Sequence, residues 1–442
     1  MSESDNYTQR TEWGDVPSHW HVAPLNAFVS RVTYGFTNPM PTTDDGPFMV
    51  TAKDVHSGRI DYSTARHTSW DAYNNTITDK SRPRVNDILL TKDGSIGRVA
   101  VCDRDDICIN QSVALIQPNE GTHARFLKYL LEAPFYQRCM ERDSDGTTIK
   151  HIYITRVDKM EVAMPPLVEQ RAIAHILGSL DDKLESNRRI NETLEAMARA
   201  IFKAWFVDFD PVKAKAAGAT SFRGTPQDVF ERTPDQFVES ALGPIPAGWD
   251  VVPIGDLVEV VGGGTPNTKD LELWEGGENP FCTPKDMAGL ISPILLDTER
   301  HITTAGISKI SSGQLPIGTV LLSSRAPIGY LAISQTPVSV NQGIIAMLTG
   351  EVPNTYVLLW TEENMEVIKG RAGGSTFAEI NKRNFRPIPA LRPDERTLAA
   401  FDEIVRPLFG VMAAKAREIR VLAGIRDTLL PKLMSGIVRV CR

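Results

Sequence analysis

Few residues in this chain are spaced for covalent chemistry. GGGTPNTK at Gly262 is glycine-rich but lacks the GxxxxGK[ST] spacing that cradles a phosphate, so it reads as a flexible turn. DGSIG at Asp93 lacks the first glycine of GxSxG, so no nucleophile elbow is expected. HxxxH and HExxH do not occur, and the eight histidines are scattered. Neither a nuclease-like acidic run followed by ExK nor an Asn-Pro-Pro-aromatic signature of amino methylation is found. The five cysteines (Cys102, Cys108, Cys139, Cys282 and Cys441) form no CxxC pair. That argues against structural zinc and for a reducing compartment, with a cytoplasmic location expected. What remains is hydrogen-bonding chemistry: short polar clusters between apolar runs, suited to binding and assembly.

Those clusters come in pairs. VPSHWHVAPL at Val16 returns as IPAGWDVVPI at Ile245, and TAKDV at Thr51 returns as TPKDM at Thr283. ILLTKDGSIGRVAV at Ile88 returns as VLLSSRAPIGYLAI at Val320, and INQSVAL at Ile109 as VNQGIIA at Val340. GTTIKHI at Gly146 returns as GSTFAEI at Gly374. The offsets stay between 228 and 232 positions and keep their order, which is the mark of a head-to-tail duplication. Within each copy, runs of Val, Ile, Leu and Thr broken by Gly, Pro, Asn and Asp predict short strands and tight turns. Helical pieces are expected near residues 124–142 and 355–369.

Each copy ends in a long helical stretch. In the first, Ile173, Leu177, Leu180 and Leu184, then Leu194, Met197, Ile201 and Trp205, recur at three- and four-residue steps, the signature of one apolar helix face. The 38 residues from 169 to 206 would span roughly 57 Å as a helix. Asn187 and Asn191 fall on the seam, where polar residues set register at a cost in stability. The second stretch carries Leu398, Phe401, Val405, Leu408, Met412, Ile419, Leu422 and Leu429. Pro407 should kink or interrupt it, and Pro431 and Gly436 should mark its end. Neither helix can bury its stripe on a small globule alone, so the two are expected to pair.

The expected fold is therefore α+β: two β-rich globules separated by two long antiparallel helices, duplicated about a pseudo-twofold axis. The segments are residues 1–165, a helix at 166–207, a linker rich in Ala, Gly, Pro and charge at 208–246, a second globule at 247–390 and a helix at 391–442. No apolar run reaches the length of a membrane span, and the opening residues are too polar for a signal peptide. The formal charge of −7 speaks against a nucleic-acid partner, but residues 391–442 hold ten basic against six acidic side chains. Local patches, not the total, decide phosphate binding.

PLVEQRAIAHILGSLDDKLESNRRINETLEAMARAIFKAWFVDFDP, from Pro166, strongly resembles the central region of specificity subunits of type I restriction–modification systems. RDTLLPKLMSGIVRV resembles their C-terminal end, and VPSHW and GPIPAGWDVVPIGDL resemble the opening of their target recognition domains. The resemblance covers essentially the whole chain, tightest in the central helix and loose inside the globules. It implies two target recognition domains, each reading one half of a split, asymmetric duplex DNA sequence. It also implies a helical rod that docks modification (methyltransferase) subunits and, with them, restriction (motor-nuclease) subunits. S-adenosylmethionine, ATP and magnesium would belong to those partners, leaving this chain without a cofactor, an active site or a membrane role. A rod of roughly 57 Å would span at most about 17 base pairs. A coiled-coil scaffold with two protein-binding heads, or an enzyme with unrecognised motifs, are the competing readings.

The duplication sorts the candidate DNA-binding residues. Residues identical in both copies cannot make the half-sites differ; they should build the frame or hold phosphate. Lys53 and Lys285, in the shared T-x-K-D, are phosphate-clamp candidates. Asn110, Gln111, Asn341 and Gln342 could meet adenine edges, although shared residues more often cap turns. Divergent matched positions are the candidate base readers: Lys92 and Asp93 against Ser324 and Arg325, Arg98 against Tyr330, and Lys150 and His151 against Ala378 and Glu379. Lys382 and Arg383 add a basic pair to the second copy. Residues 36–48 and 62–86 differ most from their counterparts and should hold further readers.

Overall fold

The computed structural model of the chain describes residues 8–12, 14–146, 150–373 and 378–440. Cys441, the opening seven residues, and the TTI and GSTF portions of the GTTIKHI and GSTFAEI repeat lie outside the described residues. The four described cysteines are buried and free. No helix among the described residues is long and apolar enough to cross a membrane.

The chain divides into two compact units, Met1–Leu184 with Leu422–Arg442, and Glu185–Val421. This differs from the expected succession of globule, helix, linker, globule and helix. Both long helices are cut by the division. The N-terminal part of each shares a unit with the C-terminal part of the other, the order that antiparallel pairing requires. Side chains decide the assignment. Ile173, Ala174 and Leu177 of the first helix share a core with Leu433 and Met434 of the second. Ala198, Phe202, Trp205 and Phe206 share the other core with Phe401, Val405, Phe409 and Met412.

In the first unit an antiparallel sheet orders its strands Val99–Val101, Ile88–Thr91, Val113–Pro118 and Val29–Tyr34. In the second, Ile328–Ser334, Val320–Ser324, Ile344–Thr349 and Val258–Gly262 take the same order, with Ile294–Leu295 added at one edge. Alternate side chains of a strand face opposite ways, and here both faces are covered. Ile88 and Leu90 enter one core while Leu89 enters another; Val320 and Leu322 part from Leu321 in the same manner. This is why the strands read as continuous apolar runs. A smaller sheet in each unit contains one parallel pair, Ile107–Ile109 on Thr43–Val50 and Ser339–Val340 on Asn279–Cys282. The expected helical pieces are Ala124–Glu132 and Pro134–Arg142, and Asn354–Glu363 and Met365–Gly370.

The duplication reaches further back than the repeated motifs. Thr8–Thr11 pairs with Gly14–Pro17, and Phe237–Ser240 pairs with Gly243–Pro246. The second hairpin lies in the stretch expected to be a linker, which also forms helices Asp210–Ala216 and Gln227–Arg232 and buries Val212 and Phe230. Past each hairpin a tryptophan ties the strand region to its long helix: Trp20 Nε1 donates to Glu169 (3.3 Å) and Trp249 Nε1 to Asp394 (3.2 Å).

The long helices are Leu167–Phe206 and Glu395–Met434, 40 residues each. The second runs through Pro407 and three residues past Pro431, so neither proline interrupts it. Pro407 is exposed while Val405 and Phe409 on either side are buried in the core, and that packing holds the turn despite the lost N–H. Gly436, at φ +70°, follows the helix. In the first helix the buried stripe shifts: Met197 is exposed, and Ala198 and Phe202 face the core. Asn187 and Asn191 are fully buried, as their seam position requires. Asn191 Nδ2 donates to Ser292 Oγ at 3.4 Å, in a loop of its own unit, whereas both polar side-chain atoms of Asn187 lack a hydrogen-bond partner.

Candidate nucleic-acid interface

Each unit builds the same backbone frame where the strand Ile88–Thr91 or Val320–Ser324 ends. Lys92 N donates to Ser112 O (2.9 Å) and Ser324 N to Gly343 O (2.8 Å). Ile152 N donates to Lys92 O (2.9 Å) and Ile380 N to Ser324 O (3.0 Å). The next residue then pairs across the same gap, Asp93 with His151 and Arg325 with Glu379. The turns that follow use left-handed backbone at matched positions, Gly94 (φ +75°) and Ala326 (φ +54°). The sequence-aligned candidates are thus brought together in space, in both units, by one repeated set of hydrogen bonds.

The side chains on this frame differ. In the first unit the Asp93 carboxylate bonds His151 Nδ1, and Lys92 Nζ lies 3.1 Å from the same carboxylate. In the second, a cation takes the place of the first unit's carboxylate and a carboxylate that of its imidazole: Arg325 Nη1 stands 3.8 Å from Glu379 Oε2. Exposed Tyr153 packs edge-on against His151, with ring centroids 4.6 Å apart. Lys92 also lies over the Tyr34 ring at 5.3 Å.

Several candidates turn out to be frame residues. Asn110 Oδ1 accepts from Ser112 N (3.1 Å) and Ser112 Oγ (2.6 Å), and Asn341 Oδ1 accepts from Gly343 N (2.9 Å), so both amides cap a turn. Ser324 is 2% exposed and Lys92 7%, which withdraws both from a surface ligand in this chain. Tyr330 is half-buried against a core cluster. The remainder face outward. Gln111 is exposed, as is Gln342, whose Oε1 accepts from Thr265 Oγ1 (2.6 Å). Arg98 reaches Val55 O (3.4 Å), and Lys150 pairs with Glu141 (2.8 Å). Lys382 and Arg383 are exposed on the short helix Lys382–Phe385.

The two T-x-K-D segments form matching capping boxes, in which Thr51 and Thr283 bond Asp54 and Asp286 through backbone N–H and hydroxyl. That geometry leaves Lys53 and Lys285 projecting, 63% and 79% exposed, the latter paired with Glu299 at 2.7 Å. Residues 62–86, expected as a reading loop, include the short strand Arg66–His67, the helix Trp70–Asn75 and a 3-10 turn at Asp79–Ser81, with irregular chain between them. In residues 36–48 the strand Thr43–Val50 begins partway along.

One feature of the frame is absent from the candidates that the sequence offers. A Cβ on Gly35 would lie 1.8 Å from Ile109 O, and a Cβ on Gly263 1.7 Å from Val340 O. These glycines let the strand end touch the parallel strand beside the Asn–Gln turn. Within GGGTPNTK, expected as a flexible turn, Gly263 is therefore a close backbone contact, and the recurrence of glycine 228 positions apart was the available signal. Just before them, the position held by Tyr34 in the first unit is held by Gly262 in the second, where Lys382 lies alongside instead.

Two copies of one framework, each carrying a different polar surface at the same place, define a protein with two matched recognition surfaces. Residues 44–196 and 246–409 match the family described as the type I restriction modification DNA specificity domain, and the chain belongs to that family. It is 27% identical over 379 residues, 76% of this chain and 82% of the relative, to the type I restriction enzyme HindI specificity subunit of Haemophilus influenzae. Over 180 residues, 38% of this chain and 41% of the relative, it is 40% identical to the MjaIX specificity subunit of Methanocaldococcus jannaschii. Its fold is similar to that of the S subunit of a type I restriction–modification system from M. genitalium, with a TM-score of 0.60, 18% identity and 98% of each chain covered.

Proposed function

We propose that the chain is the non-catalytic DNA-specificity subunit of a type I restriction–modification complex. It reads a bipartite, asymmetric duplex target, one half per unit, and docks modification and restriction subunits. Those partners supply the methyltransferase and motor-nuclease chemistry and hold the S-adenosylmethionine, ATP and magnesium. The observation that carries this reading is the replacement of polar side chains on an unchanged frame, Asp93 with His151 against Arg325 with Glu379. A repeated frame with altered side chains is what two different half-sites demand, because backbone and phosphate contacts fix register while base-edge contacts specify sequence. Lys53 and Lys285, held on identical capping boxes, suit the phosphate role.

The test replaces residues 1–165 by the matching part of a relative and maps the bases methylated by the complex with its modification subunits. One half of the target is expected to change and the other to persist. A change in both halves contradicts the one-unit, one-half assignment. Duplex binding by the complex that ignores sequence and does not weaken with salt removes the DNA-specificity reading altogether.

A further inference from the structure

The second unit differs from the first by a coordinated set of small changes around Arg325. In the first unit Ser112 fills the corner of the turn: its Oγ accepts from Ala52 N (2.9 Å) and donates to Asn110 Oδ1 (2.6 Å). In the second unit the residue matching Ala52 is Pro284, which has no N–H to offer, and the residue matching Ser112 is Gly343. With no donor to satisfy, the hydroxyl is dispensable, and with no side chain at 343 a lane is open. Arg325 occupies it. A Cβ on Gly343 would lie 3.3 Å from Arg325 Nε and 3.2 Å from Pro284 Cγ. The guanidinium continues past Gly343 to Glu379, and both side chains remain about 40% exposed, at 37% and 43%.

Building on the proposed function, we propose that Arg325 reads a guanine in the half-site of the second unit, with Gly343 and Glu379 as its positioning residues. A guanidinium fork is matched to guanine O6 and N7 and makes a bidentate pair there. Seen alone, a surface arginine serves equally as a phosphate contact. Here a lane is cleared for its shaft and a carboxylate stands beside its head, which biases the direction of the fork, as direct base readout requires. The carboxylate lies 3.8 Å away rather than in bidentate contact, so the fork keeps donors for a base. The first unit has no equivalent. Its matching residue is Asp93, an acceptor engaged by Lys92 and His151, and Ser112 closes the lane. The two half-sites are thereby distinguished at the matched base pair.

The experiment uses the full chain assembled with its modification subunits, profiling the bases methylated in a random-sequence duplex library. Arg325→Ala is expected to lower discrimination by about 10- to 100-fold at one G·C pair of one half-site and nowhere else. Arg325→Lys keeps the charge but not the fork and should relax the same pair. Gly343→Ser, which restores the residue of the first unit, should do so with Arg325 in place. Glu379→Ala should act at that pair too, and Glu379→Asp should restore part of the discrimination. A uniform loss over all sequences would make Arg325 a phosphate contact and overturn the inference. So would an unchanged target, or relaxation at a pair without guanine. If the unmodified complex methylates without any bipartite preference, the proposed function itself fails, and that result is separate from the others.

Discussion

At the scale of single residues, the frame rests on two glycines that touch backbone. The oxygens facing Gly35 and Gly263 belong to strands, so no rotamer change relieves the 1.8 and 1.7 Å clashes an added Cβ would make. Gly35→Ala and Gly263→Ala are expected to cost about 3 kcal/mol or more, each in its own unit. Hydrogen exchange resolved by unit measures this; equal protection loss in both units would contradict it. A second prediction concerns acid. Burial pushes the Asp181 carboxyl up, but the Lys128 ammonium, the Tyr129 hydroxyl and the Arg426 guanidinium outweigh it and hold the group below the usual carboxylate range. A carboxyl lowered on folding contributes stability that is present above its unfolded pKa, about 4, and is lost as pH falls through the folded value. Asp181→Asn should therefore destabilise the chain at neutral pH and narrow its gap from the parent protein below about pH 4. Urea midpoints across that range read the difference, and a gap independent of pH would assign the effect to packing.

At the scale of elements, the second long helix carries Pro407 on an exposed turn, with the packing of Val405 and Phe409 compensating for the missing donor. Pro407→Ala restores that donor at an exposed position and should raise stability by up to about 3 kcal/mol. A lower melting temperature would show that the turn is built around the ring. The helices also show what a sequence conveys and what it withholds. Their existence, their extent to within a few residues, and the duplication were all legible, because apolar spacing and repeated motifs are properties of the chain itself. The phase of the first helix was not: Met197 and Ala198 are neighbours, and only the packed core decides that the small one faces inward. The Phe237–Ser240 hairpin was hidden because two-stranded pairing depends on its partner rather than on composition. The candidate interface was legible as a set of matched positions. The depth of Ser324 and the lane at Gly343 depend on what lies above each residue, which no spacing rule records.

At the scale of the whole molecule, the chain crosses from its first unit to its second between Leu184 and Glu185 and returns between Val421 and Leu422, each time inside a 40-residue helix. If the number of helical residues at these crossings sets the gap between half-sites, inserting about four residues, one turn, within 184–195, with a matching turn in the second helix, should lengthen the methylated target's spacer and leave both half-sites unchanged. An unaltered spacer would mean the helices do not measure it. The division of the helices has a further consequence, for synthesis. The second unit is a continuous stretch, Glu185–Val421, whereas the first is built from the beginning of the chain and its last 21 residues. Leu433 and Met434 are buried in the first unit's core, and Gly436 lies against Pro17. The globule that leaves the ribosome first is therefore the one that closes last, sealed only once residues 422–442 have followed the whole of the second unit.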